Sequence, residues 1–541
     1  MAKQANKATA QPEKPQMPSG DGPIIKKMKR LYDQANTEYQ TFQPLLDEAF
    51  DYAIPFRKGS SDGKGQKRVN KAFDQTAIVG AFRFAGRLWQ DFVSEEMFRL
   101  APGDILEKKV KDELRPHLER TTAVITGMAS NGEFDLAFHE MALDLAAGTG
   151  AMYIPQGDSP DRAARFVSVP IDELRLLGGP YGDVVAIFWD RKWKPWQVEE
   201  EFDLDGDRLG PELKKLIKDK PDDDLTLHVA TVFDKKSSRW ITRSWTDKDE
   251  VIIRQEKSFT NPWLTPRYFR VPGETMGRGP IMLAMPSIKT LNTAQSLTLQ
   301  AAAIALMGIW TAVDDGVFNP DHSAIEPGAI WKVARNGGVL GPTISRMQDP
   351  NLDTNNIILN DLRMAVQATL MDQSLPPDGA SVRSATEILE RVKRLASDHT
   401  GAFGRLVYEI IVPLARRLIE VASNVGLIEN QIPIDQVLIQ VKISSPLATA
   451  RAAERLEKIV QWIEMVLAIL QEGAPTVAKL EEALEHVGRE LGVPSDYIVT
   501  GEERAEMKKQ AAEAQAIAMA AQAGLGAEAP TDQAAEQLGA V

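Results

Sequence analysis

The chain has 541 residues, enough for roughly three or four domains. Its 43% hydrophobic and 26% charged residues are ordinary for a soluble protein with several cores. The net charge is −13, which argues against a groove that grips DNA by neutralising phosphates, and the absence of cysteine removes disulfides, thiolate metal sites and cysteine nucleophiles.

Residues 1–23 are polar, rich in Gln, Pro and Lys, and carry no apolar run of the secretory type; a disordered arm is expected. Ile24–Ala53 has helical periodicity, with Pro44 expected to kink or break it, and Ile54-Pro55-Phe56 ends it. A loop of Gly, Ser and Lys follows. Its Gly59-Ser60-Ser61-Asp62-Gly63-Lys64-Gly65 run has the wrong spacing for a phosphate loop, and Gly follows the Lys. It reads instead as a flexible basic loop in which Arg57, Lys58, Lys64, Lys67, Arg68 and Lys71 are available to an acidic partner. Helices are predicted over Thr76–Met97, Lys108–Asn131 and Phe134–Ala147, then a Gly148-Thr149-Gly150 turn and a strand at Ala151–Pro155.

From Arg165 to Arg270 the texture is β, with strands predicted at Phe166–Pro170, Val184–Trp189, Leu225–Phe233, Arg239–Trp245 and Glu250–Gln255. Asp247-Lys248-Asp249 reads as a hairpin turn, and Gln197–Lys218 as a helical, acidic insertion. Trp189, Trp193, Trp196, Trp240, Trp245 and Trp263 have the composition of a base-stacking platform, but without a basic surround they read better as core and edge of an α+β domain. Gly277-Arg278-Gly279-Pro280 opens a helix from Ile281 to about Met307. The stretch Thr290–Val313 has no charge, yet its polar first half and lack of a basic flank favour a helix packed among others over a membrane span. Gly316–Pro350 is rich in Gly, Pro and Asn, with short β pieces expected at Ala329–Ala334 and Gly338–Leu340, and reads as a protruding module.

Two helical runs flanking an unusual loop follow. Asn355–Met371 is amphipathic; Asp372–Arg383 contains Pro376, Pro377 and Gly379; a longer run then continues to about Ala422. Its stripe Ile388, Val392, Leu395, Phe403, Leu406, Ile410 and Leu414 has three- and four-residue spacing, and such a helix would extend roughly 55 Å. Gly401, Gly404 and Pro413 are the expected kink points. The opposite face, with Arg391, Lys393, Arg394, Asp398, Arg405, Glu409, Arg416 and Arg417, reads as solvated or as the lining of a subunit interface. Ile432–Ile443 is strand-like, Ala448–Leu470 and Pro475–Leu491 are helical, and Glu502–Gln522 is an Ala-, Gln- and Met-rich helix fraying into a polar end.

Catalytic motifs are not found. Asp203-Leu204-Asp205-Gly206-Asp207 fails the calcium-loop pattern because Arg208 and Lys214 occupy the required Gly and Glu positions. His139-Glu140 lacks the second histidine of a zinc-protease helix, Leu143 standing there. No enzyme activity, metal or cofactor is expected.

The order of short motifs has a precedent. Phe73-Asp74-Gln75-Thr76-Ala77, followed by Leu88 and then Met97-Phe98-Arg99-Leu100, resembles a signature of portal proteins, the head-to-tail connectors of podovirus-type phages. That family has a small residue where Gln75 stands and typically Trp-Phe in place of Met97-Phe98. Gly148-Thr149-Gly150, Met276-Gly277-Arg278-Gly279, Ala385-Thr386-Glu387-Ile388, Val412-Pro413-Leu414 and Gly501-Glu502-Glu503 extend the resemblance from about Lys26 to Gln522. It implies an α+β, mainly helical subunit: a wing over 24–285 (helical to 150, β-rich over 151–275), a first stem helix over 286–307 and a clip over 308–354. A second stem helix over 355–371, a channel loop over 372–384, a long kinked helix over 385–422 and a crown over 423–500 follow, with a tail over 501–541 able to extend as a helical barrel.

The resemblance further implies a ring of about twelve subunits in the virion, assembled in the host cytoplasm with heterologous contacts repeated around one axis. Double-stranded DNA would pass the channel without sequence reading, and Ser374, Asp378 and Arg383 are expected nearest to it, on a loop shaped by Pro376, Pro377 and Gly379. The clip, with Asp314, Asp315, Arg335 and Arg346, would dock the terminase and later a tail adaptor. Scaffolding and major capsid proteins are the remaining expected partners, and no membrane is. The alternatives are another head–tail structural protein (adaptor or tail tube) or a cell-wall or nucleic-acid hydrolase.

Overall fold

The computed structural model describes most of residues 21–307, except 58–71, 94–96, 104, 160–161, 203–208 and 249–250. It also describes 310–312, 344–346, 353–370, 404–428, 439–443, 458–466 and parts of 468–522. Two compact units emerge: one from residues up to 89 together with 130–420, the other from 90–129 together with 421–541. Helix dominates.

The elements run α1 (Asp21–Tyr52), α2 (Thr76–Phe92), β1 (Phe98–Pro102), α3 (Lys108–Asn131), α4 (Phe134–Ala147), β2 (Met152–Tyr153), β3 (Gln156–Ser159), β4 (Arg162–Ala164), β5 (Val167–Ser168), β6 (Leu174–Gly178), β7 (Val184–Trp193) and α5 (Pro195–Phe202). Then come α6 (Pro211–Asp219), β8 (Leu225–Asp234), β9 (Arg239–Thr246), β10 (Ile252–Ser258), β11 (Trp263–Leu264), β12 (Phe269–Arg270), β13 (Gly277–Arg278) and α7 (Pro280–Met307). The remainder is β14 (Trp310–Ala312), β15 (Ile344–Arg346), α8 (Asp353–Thr369), a π-helical turn (Val407–Ile411), α9 (Val412–Val425), β16 (Ile439–Ile443) and α10 (Gly501–Gln522).

In the first unit, five antiparallel strands lie in the order β10-β9-β8-β7-β6. α1 covers one face of this sheet because Ile25, Met28 and Ala35 recur at helical spacing and pack on Ala186, Phe188, Ala230, Trp245 and Ile252. Each large apolar side chain so buried contributes roughly 2 kcal/mol. No break occurs at the expected Pro44. Trp189, Trp245 and Trp263 are buried, with the Trp263 indole N–H donating to Thr231 Oγ1 at 3.0 Å, as the core reading requires. Trp196 is exposed.

α4 is buried over most of its length, Asp144 included, and leaves Asp135, Leu136 and Glu140 exposed. Arg57 answers that carboxylate with Nη2 at 2.6 Å and Nε at 3.1 Å, and reaches Glu140 and Ser168 as well. The sequence reading of Arg57 as a free loop cation is therefore wrong; it is an internal counter-ion. Burial pushes Asp144 up to about 6 despite this neighbour.

The second unit pairs β1 with β16, Phe98 opposite Ile443 and Pro102 opposite Ile439. Thr122 Oγ1 on α3 accepts the Leu100 N–H at 3.1 Å. The motif Phe98-Arg99-Leu100, taken from sequence to follow a helix reaching Met97, is thus a strand after a helix that ends at Phe92.

Candidate subunit interface

Two glycine motifs set where α7 begins. A Cβ on Gly279 would stand 2.1 Å from the Ala146 carbonyl oxygen, and one on Gly148 2.1 Å from the Gly277 carbonyl oxygen. The Gly148-Thr149-Gly150 and Gly277-Arg278-Gly279 backbones therefore cross in direct contact, which side chains would forbid. The Thr149 hydroxyl accepts the Gly277 N–H at 2.7 Å, and Gly279 N–H donates to Ala147 O at 3.0 Å, closing the crossing. Pro280, suited to a first helical turn, then starts α7.

A polar clasp fixes α7 and α8 to the start of α2. Asp74 Oδ1 accepts the Thr76 N–H at 2.9 Å, satisfying a donor at the helix N-terminus. Asp74 Oδ2 takes Arg363 Nε at 3.0 Å and Nη2 at 2.9 Å from α8. On α7, Asn292 Oδ1 accepts the Phe73 N–H at 2.6 Å and the Asp74 N–H at 3.3 Å, while Gln295 accepts from Arg363. Burial would raise the Asp74 carboxyl, but hydrogen bonds from Thr76 and then the Arg363 charge outweigh it and hold it below the usual carboxylate value. A cleft of about 310 Å³ opens beside the clasp, lined by Asp74, Gln75, Val79, Arg83, Arg363 and Gln367.

Beyond the clasp, α7 and α8 pair with each other and leave apolar side chains in solvent. Ile281, Ile288, Leu299 and Leu306 are spaced seven, eleven and seven residues apart and share one face of α7. The first two are buried, whereas Leu299 is 51% and Leu306 87% exposed. Leu283 and Leu297, and Ile357, Ile358 and Met364 on α8, are exposed too. From Thr290 to Met307 α7 carries no charge. A row this apolar, covered at one end and open at the other, marks a surface for protein association. No helix among the described residues is long and apolar enough to cross a membrane.

A family model described as bacteriophage head to tail connecting protein matches residues 25–499. The chain belongs to this family of phage connectors. No curated protein matches it. The connector is accordingly a structural component of the virion at the head–tail junction.

The helix ending in α9 is anchored within the first unit at Glu409 and Arg417, two residues of the face that the sequence suggested as solvated or lining a subunit interface. Within the first unit, Glu409 accepts the Arg267 N–H at 2.7 Å and Arg267 Nη2 at 2.9 Å. Arg417 donates to Ile154 O and Glu420, and Glu420 accepts the N–H groups of Phe259 and Thr260. Arg267, Arg417 and Glu420 are buried. Glu409 sits in the π turn, where Val412 N–H bonds back five residues to Val407 O. Pro413 follows directly: it has no N–H to donate and its ring excludes the carbonyl four residues earlier, so a widened turn relieves the conflict.

Of the sequence-predicted positions, Ser374, Pro376, Pro377, Asp378, Gly379 and Arg383 lie outside the described residues, as do Gly401, Asp314, Asp315, Arg335 and the expected β pieces over 329–340. Gly404 is helical, and a Cβ there would meet open space. Arg346 ends β15, opposite Trp310 of β14. The clasp residues Asn292 and Arg363 were not singled out in sequence; only the neighbouring Phe73-Asp74-Gln75-Thr76 motif signalled them.

Proposed function

We propose that this connector is the portal of a short-tailed, podovirus-type DNA phage, a closed ring of about twelve copies at one capsid vertex. Double-stranded DNA is packaged and later ejected through its channel. The terminase docks on the clip during packaging, the tail adaptor replaces it, and scaffolding and major capsid proteins surround the ring. The observation that carries this reading is the open apolar row on α7 and α8 in a chain of the connector family. Heterologous contacts around a rotation axis would cover that row on every subunit at once. The net charge of −13 agrees with a channel that lets DNA slide, since strong phosphate contacts would hold it.

In this reading the segment 372–384 faces the DNA, with Ser374, Asp378 and Arg383 nearest to it and Pro376, Pro377 and Gly379 restricting its motion. Deleting residues 375–382 is the test: ring assembly is retained while packaging or genome retention falls. Wild-type packaging and retention by the deletion mutant refutes the assignment of this loop.

A further inference from the structure

His228 on β8 is held at both ring nitrogens. Nδ1 lies 2.6 Å from Asp190 Oδ1 on β7, and Nε2 lies 2.8 Å from Asp247 Oδ1 in the β9–β10 turn. An ionised carboxylate only accepts hydrogen bonds, so both nitrogens must donate and the ring must be an imidazolium. The second Asp190 oxygen accepts the Tyr32 hydroxyl of α1 at 2.7 Å. One face of the imidazole stacks on Trp245 of β9, with centroids 5.5 Å apart and 24° between planes, an arrangement that favours a cationic ring.

We propose that Tyr32, Asp190, His228 and Asp247 form a pH-sensitive latch that locks the N-terminal half of α1 onto the five-stranded sheet and loosens when His228 loses its proton. A neutral imidazole keeps one N–H, so one of the two carboxylates then faces a lone pair at hydrogen-bond distance. The repulsion passes through Asp190 to Tyr32 and so to α1. The consequence reaches beyond the sheet because α1 is a strut: its other half is tied to α7 by Glu48 and Lys289 at 2.6 Å, and to the segment before α7 by Glu38 and Thr275 at 2.6 Å.

Other charged groups around the latch do not account for a transition in the same range. Burial and Asp190 push Tyr32 well up, so it keeps its proton. Arg175 of β6 and Asp33 of α1 also act on Tyr32, the former on Asp190 too. Burial works against the charge on His228, but Asp190 and Asp247 outweigh it and raise the group above 6.5. With the folded value raised, the latch is complete below the ordinary histidine range and is lost as pH rises through the raised value.

The test uses the full chain. Imidazolium quenches a stacked indole, so the emission of the wild type minus that of Trp245→Phe, followed from pH 6 to 10, reports His228 directly. The expected midpoint lies above 6.5, moves down in Asp247→Asn, and vanishes in His228→Gln. Amide exchange of residues 21–40, corrected for intrinsic rate, should accelerate as pH rises above 6.5, by up to about tenfold per pH unit, and level off above the same midpoint in the wild type, with no such rise in His228→Gln. A midpoint at or below 6.5, or exchange in the wild type that matches His228→Gln at every pH, overturns the proposal. Asp247 is exposed, so its Asn variant keeps the test usable if His228→Gln does not fold.

Discussion

Replacing Asp74 by Ala should loosen the two helices that carry the apolar row. The change removes the acceptor for the Thr76 N–H, worth about 1 kcal/mol by analogy with helix caps. It also removes the acceptor for two Arg363 donors, a charge-assisted contact worth roughly 1.5–3 kcal/mol when dry. The Arg363 side chain is 36% exposed, so solvent screening reduces that second contribution to about 1–1.5 kcal/mol. The total is about 2–2.5 kcal/mol, expected as a fall of roughly 2–6 °C in the first thermal transition. A double-mutant cycle with Arg363→Met, which keeps the aliphatic stem, isolates the pair; its coupling should be about 1 kcal/mol. Coupling below about 0.3 kcal/mol would show that Asp74 and Arg363 act independently and refute the clasp.

Gly279→Ala forces a Cβ to within 2.1 Å of a backbone oxygen that cannot swing away, so a loss of at least about 2 kcal/mol, read by chemical denaturation, is expected. Glu409→Ala strands the buried Arg267 guanidinium and should cost about 3–5 kcal/mol, whereas Glu409→Gln retains acceptor capacity and costs less; equal losses in thermal stability would contradict the ion-pair account. Asp74 and Asp190 both have folded values below the ordinary 3.8, so their stabilisation is present above that value and is lost as pH falls through the lower folded values. Asp74→Asn should flatten the acid limb of the stability curve below about pH 4.

Local patterns were legible where the chain signals its own boundaries. Lys108–Asn131 and Phe134–Ala147 were read to the residue, since Asn131-Gly132 and Gly148 punctuate two long periodic runs. The central strands β7, β8 and β9 followed from their β-branched and aromatic content. Strand β1 was missed because its partner β16 lies more than three hundred residues away, and no local pattern encodes that pairing. Strand β6 was missed as well, a short edge strand whose Leu174, Leu176 and Leu177 carry no β-branching. Glu409 and Arg417 on the charged face were misread because helical spacing places a charge on a face but does not reveal what packs against it. The clasp was visible only as the Phe73-Asp74-Gln75-Thr76 motif; its physical sense needed Asn292 and Arg363, more than two hundred residues downstream.

The central claim is that the apolar row on α7 and α8 closes a ring. Electron microscopy of the purified full-length protein measures this most directly. The account predicts closed rings with a central hole and about twelve subunits, which Leu299→Glu with Leu306→Glu reduces to monomers that remain folded. Wild-type particles that are monomeric, or rings that survive both substitutions unchanged, would contradict it.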